Sequence, residues 1–450
     1  MATTLIRGRR ASRVGLFAAL VLGVGLLTSC DVAATGNVVV AAGGDHSCAL
    51  QSDQSVTCWG ANDRGQLGVD TSISRPGNPT VQGPSRSPLT VGGVVDATAV
   101  AVGPKSSCAR RATGQVLCWG DNANRQLGLI DADQNIVALP TPVPNLSGAE
   151  QIAMGGRHTC AIVAGATARC WGANDQRQLG DGTTTANGDP RTVVGLTGAG
   201  AIDAGTNHTC ALRTDATVRC WGANSSGQLG NGTTTPATGL VDPGLTGVAQ
   251  ISVGGNHTCA RLTGGTVRCW GANASGQLGN GTTTGSASPV TVSGLTGARE
   301  VTTGSLHTCA RLDDDTVRCW GANASGQLGN GTTTSSSVPV TATSVPGAQQ
   351  LSAGTAHTCA VVNDSSMRCW GENGTGNLGD HTSVDRSAPT TVLQASRLTD
   401  VDQVSQGGDH ACAVRSPGTD PTSVWCRGLN ADGQLGNGST TASPLPVQVT

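Results

Sequence analysis

The chain of 450 residues has no tyrosine, one phenylalanine and one lysine, and charged residues make up only 12% of it. The phenylalanine, Phe17, falls near the start, which leaves eight tryptophans as the only large aromatics of the remaining chain and excludes a core built on stacked Phe or Tyr. The only lysine is Lys105, and a mildly acidic, scattered charge gives no footprint of a protein that grips nucleic acid or anionic headgroups. With the four arginines of residues 1–29 set aside, 23 basic residues face 29 acidic ones, a formal charge of −6 scattered along the chain. Also missing are a glycine-rich phosphate loop and a clustered pair of carboxylates suited to general acid–base work. The apolar run Val14 to Leu27 holds 14 residues, short of a membrane span.

That run follows Arg7, Arg9, Arg10 and Arg13 and ends in Leu27-Thr-Ser-Cys30, the order of an export signal. Leu-x-x-Cys after such a run resembles the bacterial lipoprotein processing box. The resemblance implies a signal peptide over residues 1–29, cleavage before Cys30, and a lipidated thiol on a tether of residues 30–37. The protein is then expected in the bacterial cell envelope, lipid-anchored and facing the periplasm or the exterior. Asp31 directly after the cysteine implies inner-membrane retention where there are two membranes. Cysteine arithmetic points the same way, because 17 is odd and removing Cys30 leaves 16.

What the sequence has in abundance is repetition. The stretch His257 to Thr282, HTCARLTGGTVRCWGANASGQLGNGT, returns seven more times, and the first cysteines Cys48, Cys108, Cys160, Cys210, Cys259, Cys309, Cys359 and Cys412 are spaced by 60, 52, 50, 49, 50, 50 and 53 residues. A period near 50 marks stacked units that bury their apolar faces only against neighbours. Alternation and turn residues give four short strands per unit, here Ile251–Val253, His257–Leu262, Thr266–Gly271 and Pro289–Val292, with a Gly- and Asn-rich connection before the last. The expected fold is all-β: one β-propeller over residues 38–450, with eight repeats as eight four-stranded blades.

The cysteines set the hairpin register. In seven copies nine residues separate the two, which places them opposite one another across a hairpin, within disulfide reach. The pairs are Cys48 with Cys58, Cys108 with Cys118, Cys160 with Cys170, Cys210 with Cys220, Cys259 with Cys269, Cys309 with Cys319 and Cys359 with Cys369. Cys412 and Cys426 have four more residues between them, an even number that keeps both on one face, so they bridge too. Eight such pairs fit an oxidising compartment. The chain stops after Pro446-Val-Gln-Val449 and the propeller segment begins at Val38-Val-Val40, so the N- and C-terminal strands are expected to close the ring, each end supplying what the other lacks. The eighth copy has Trp425 before its second cysteine and Arg427 where the others have tryptophan, so it packs differently.

Gly-x-x-His-[Ser/Thr]-Cys-Ala, then Cys-Trp-Gly-x-Asn, then Gly-Gln-Leu-Gly, repeated over residues 38–450, resembles the regulator of chromosome condensation repeat. The resemblance implies a β-propeller that recognises other proteins across one face. The family's usual count is seven blades, against eight copies here. Guanine nucleotide exchange on a nuclear GTPase, the founding activity, does not carry over to an exported lipoprotein.

The repeated polar residues read as structural. His46, His158, His208, His257, His307, His357 and His410 are expected to be buried and bonded to backbone within the blade, because the cysteine spacing is not that of a zinc knuckle. The asparagines of Trp-Gly-x-Asn are expected to hold their loops. Asp313-Asp314-Asp315 is a solvated turn, and His381 is the one histidine outside the pattern. Specificity must lie where copies differ, and Arg64, Arg125 and Arg177, gathered in the first three repeats, are the candidate partner-binding residues. The expectation is therefore a monomeric, non-catalytic protein-binding scaffold with no cofactor, metal or nucleic acid. A glycan-binding or enzymatic propeller working through the loop-rich face is the alternative.

Overall fold

The computed structural model describes residues 32–33, 38–70, 72–75, 78–129, 135–394, 396–418 and 421–450. Cys30 and the expected signal peptide lie outside them. Eight antiparallel sheets stand around a central channel, one per repeat, so the chain is an eight-bladed propeller. In blade five the strands are Val248–Val253, His257–Leu262, Val267–Gly271 and Ser286–Thr291. The first strand is innermost, since the ends of all eight first strands line the channel mouth, from Ala42 and Val102 round to Gln406.

Register follows from the hairpin between the second and third strands. Cys259 faces Cys269 with their Cα atoms 4.1 Å apart, and the other copies repeat the pairing, including Cys412 with Cys426. All eight bridges join cysteines of one hairpin. The fourth strand meets the third with a bulge after Cys269, where Gly271 takes a φ of 106° and a Cβ would lie 2.6 Å from the Asn256 carbonyl. Only glycine fits there.

Three details differ from the regular plan. The fourth strand of blade four is reduced to one bridge, Cys220 with Val241. The long connection between the third and fourth strands of blade one contains a two-stranded hairpin, Ser72–Arg75 with Asn78–Gln82. Within the segment expected as a tether, Val32–Ala33 pairs with the first strand of blade two, Ala97–Val102.

The hydrophobic interior is eight clusters, one at each seam, in place of a single core. Each cluster holds the disulfide of one blade, and in seven of them the tryptophan of the next blade covers it, as Trp270 covers Cys210 and Cys220. The indole Nε1 donates to the carbonyl of the glutamine in the preceding Gly-Gln-Leu-Gly, Trp270 to Gln228 at 2.8 Å. Inner strands are tied by glutamine: Gln250 accepts from Val301 N–H at 3.1 Å and donates to its carbonyl at 3.0 Å, and Gln151 does the same to Ile202. In blade six Glu300 takes this place and only accepts, from Leu351 N–H at 3.3 Å.

The ring closes where the N-terminal strand Val39–Ala42 meets the last blade. Gln403 clamps both the N–H and the carbonyl of Val40, and Ser405 accepts from Ala42 N–H. Each terminal blade is complete in itself, and among the described residues no sheet mixes strands from the two ends. The two ends therefore close the ring by side-to-side packing, with the clamp used elsewhere between blades.

Candidate partner-binding face

The connections from first to second and from third to fourth strand all reach one face of an antiparallel ring. That face carries the individual residues of the repeats. Its loops are built by asparagine: Asn273 Oδ1 accepts the Leu278 N–H, and its Nδ2 donates to the carbonyls of Thr282 and Thr284, all three at 2.9 Å. Asn224, Asn323, Asn373 and Asn430 make the same set, which is the loop-holding role expected of them.

Beneath the face the histidines join blade to blade. His208 Nε2 lies 2.9 Å from Thr258 Oγ1, and that hydroxyl donates onward to the Gln228 carbonyl. The hydroxyl proton is thus used, so Nε2 carries the imidazole proton and Nδ1 does not. His257 with Thr308, His307 with Thr358 and His46 with Ser107 follow suit. The bonds run to the side chain of the next blade, where backbone partners within the blade were expected. Burial pushes His46, His208 and His307 down to about 3 and His158, His257, His357 and His410 down to about 4. They are neutral structural struts at physiological pH.

The three candidate arginines lie on this face, on successive blades, each differently engaged. Arg64 sits 3.7 Å from Asp63, which Lys105 approaches to 3.0 Å. Arg125 donates to the Ala186 carbonyl and Arg177 to that of Gly182, each at 3.3 Å. Arg125 and Arg177 occupy one equivalent position in left-handed backbone, with φ of 62° and 64°, where the other six repeats have glycine. At that position a Cβ runs into the fourth strand of the next blade, 2.6 Å from Ala287 Cα in the case of Gly227. The strands facing both arginines depart from the regular plan. Gly188 stands opposite Arg125, where an added Cβ would meet the Leu129 carbonyl at 1.9 Å and Arg125 Cβ at an ordinary 3.6 Å, and the fourth strand facing Arg177 is the one reduced to a single bridge. Left-handed arginine costs of order 1 kcal/mol each. Sequence reading selected these residues for their charge and missed their backbone, although the Gly-to-Arg exchange in an aligned repeat was the available signal.

The same face also carries an acidic counterpart, which adjoins the basic arc at blade one. Asp45, Glu372, Asp409 and Asp432 fall on blades one, seven and eight of the same face. Burial first, then Asp432, pushes the Asp45 carboxyl up, and burial then Asp409 does so for Glu372. The face thus has a basic arc, which includes Arg157 paired to Asp175 at 3.1 Å, and an acidic arc. The Asp313–Asp315 turn lies on the opposite face and is engaged locally, with Arg299 2.7 Å from Asp313. Among the described residues no group of three or more His, Cys, Asp or Glu could hold a metal ion.

Comparison with known proteins agrees with this architecture. Two models of the regulator of chromosome condensation repeat match, one in seven copies from residues 38–66 to 348–377 and one in six from residues 113–162 to 369–414. Protein pim1 of Schizosaccharomyces pombe is 32% identical over 146 residues, 31% of this chain and 26% of that protein. The ultraviolet-B receptor UVR8 of Arabidopsis thaliana is 32% identical over 150 residues, 33% of this chain and 32% of the receptor. The human E3 ubiquitin-protein ligase HERC2 is 33% identical over 153 residues but only 3% of its length is matched. The chain therefore spans a third or less of each of these relatives. Among solved structures, Prp20p of Saccharomyces cerevisiae aligns with a TM-score of 0.59 at 19% identity over 75% of this chain and 86% of that one. Human WBSCR16 aligns with 0.58 at 20% over 88% and 94%, which establishes likeness of fold. With repeat models matching most of the length and eight blades built on the repeated motif, the chain belongs to the regulator of chromosome condensation repeat family.

Proposed function

We propose that this chain is an envelope-anchored, non-catalytic scaffold that binds a protein partner through the basic arc of blades one to three. The observation that carries the reading is that Arg125 and Arg177 stand in left-handed backbone, each facing a fourth strand that departs from the regular plan. A scaffold that only needed to fold has glycine there six times over. Positions that hold strain on a loop-rich face are where recognition is placed. The fold is compatible with this use: Prp20p is described with its binding to Gsp1p and histones, and in a further structure it is bound to Kap60. Cys30, after Leu27-Thr-Ser, supplies the anchor in this reading.

The test compares the intact protein with its Arg64, Arg125 and Arg177 triple alanine variant as bait in envelope extracts and on a glycan array. A protein captured by the first and lost by the second, with melting unchanged, supports the reading. Undiminished capture moves the contact to the Asp313–Asp315 turn, and glycan binding without a protein partner replaces the function. Anchoring is tested separately by Cys30→Ala, which should leave unprocessed or soluble protein. Normal processing of the parent with no lipid at Cys30 would refute it.

A further inference from the structure

Seven of the eight disulfides are covered by the indole of the following blade, and one is not. Over Cys359–Cys369 the slot holds Arg427, fully buried. Its Nε donates to the Asn377 carbonyl at 2.8 Å, which is the bond the indoles make, while Nη2 lies 3.0 Å from Cys369 Sγ and 3.3 Å from Cys359 Sγ. Nη1 is buried with no partner. No ion pair with Arg427 is found among the described residues, and burial lowers its pKa to about 9. A buried guanidinium without a counter-ion is unfavourable, and a disulfide sulfur is a weak acceptor for it.

We propose that Cys359–Cys369 is a thiol–disulfide exchange site, held ready for reduction by Arg427. The oxidised bridge leaves the buried cation uncompensated; reduction creates its counter-ion in place. A dithiol reductant of the thioredoxin class attacks Cys359 Sγ as thiolate. The S–S bond breaks and its electron pair leaves on Cys369 Sγ, the sulfur nearer the guanidinium. The second thiol of the reductant loses its proton to solvent and resolves the mixed disulfide. The products are the reductant's disulfide, a thiolate at Cys369 facing Arg427, and a thiol at Cys359 once it takes up a proton. Because the reduced form gains a charge-assisted contact that the other seven pairs lack, its formation is favoured relative to them.

The same seam supplies the route. All sixteen bridging cysteines are buried, so a reductant needs a local opening. The seam of blades seven and eight lacks the histidine–hydroxyl pair and the glutamine clamp that several other seams carry. Ala411 stands where a Ser or Thr hydroxyl receives the preceding histidine, so His357 turns to Gln406. Gln350, at the clamp position, leaves its buried Oε1 unpartnered. A cavity of about 680 Å³ opens beside it, lined in part by Gln350, Val401 and Asp402.

The experiment equilibrates the whole exported protein in graded dithiothreitol redox buffers, quenches in acid, unfolds, alkylates and maps each cysteine by mass spectrometry. Cys359 and Cys369 should be half-reduced at a reductant-to-oxidant ratio at least tenfold lower than any other pair, equivalent to about 30 mV for a two-electron couple. Reduction at neutral pH should also add thiolate ultraviolet absorbance. Arg427→Met should abolish both, and Arg427→Lys should largely keep them. Reduction of this pair together with or after the others in the parent protein overturns the proposal, whether or not a variant folds. Preference retained in Arg427→Met would overturn the role of charge.

Discussion

Acidification is the perturbation that seven buried histidines make most telling. Each has a folded-state pKa of about 3 or 4, below the ordinary 6.5, so the unfolded chain binds protons that the folded ring refuses. Their stabilisation is complete above about pH 6.5 and is lost as the pH falls toward the folded values. At about pH 5 each contributes a loss of about 2 kcal/mol, so seven give roughly 14 kcal/mol, as much as the whole stability of an ordinary domain. The local slope near that pH is set by about six to seven protons taken up on unfolding. Denaturant unfolding followed by tryptophan emission at a series of pH values between about 7.5 and 5 measures this directly. His257→Gln, which can still donate to Thr308, should lower the proton count by one. A midpoint that hardly moves over the range, or a variant with an unchanged slope, would show that the imidazoles are already solvated and refute the strut.

Three further outcomes are expected. Trp270→Ala removes a fully buried indole bonded to Gln228 and should cost about 4 kcal/mol, while Trp425→Ala, partly buried and bonded only to Ser423 of its own strand, should cost about 1; equal losses in thermal melts would contradict the seam model. Arg125→Gly with Arg177→Gly should weaken partner binding by about 2 kcal/mol yet hold or raise stability by up to about 1 kcal/mol per site, because left-handed strain is relieved. Glu300→Gln should restore the second bond of the clamp to Leu351. Burial raises the Glu300 carboxyl, so its ionised form weakens the fold at neutral pH and the gain, about 1 kcal/mol in urea unfolding, should fade as the pH drops and the carboxyl protonates.

The ring and its bridges were legible because they are local and periodic: nine residues between cysteines fix a hairpin register, and a 50-residue period fixes a stack. The seams were not. His208 finds its hydroxyl at Thr258, 50 residues on and in another sheet, and nothing in either repeat taken alone says that the partner is a side chain across the gap. The juxtaposition of Gly188 and Arg125 has the same character, since it joins positions 63 residues apart that meet only when blades stack. Arg427 was noticed as an irregularity, but its burial over the neighbouring disulfide depended on knowing which way the slot faces. The hairpin at Ser72–Gln82 was hidden by its prolines and serines, which read as loop.

Each bridge closes a loop within one hairpin, with a sequence separation of 10 in seven cases and 14 in the eighth. Sixteen cysteines could join in about two million ways, yet a chain delivered from its N-terminus presents every cysteine with its own mate before the next pair emerges. The hereditary consequence is as direct. A duplication or deletion of one repeat in the gene carries a whole pair with it and orphans no thiol, so blade number is free to drift where a disulfide between blades would lock it. The near-identical repeats five and six, sharing GANASGQLGNGTTT, are what a recent copying event of that kind leaves behind.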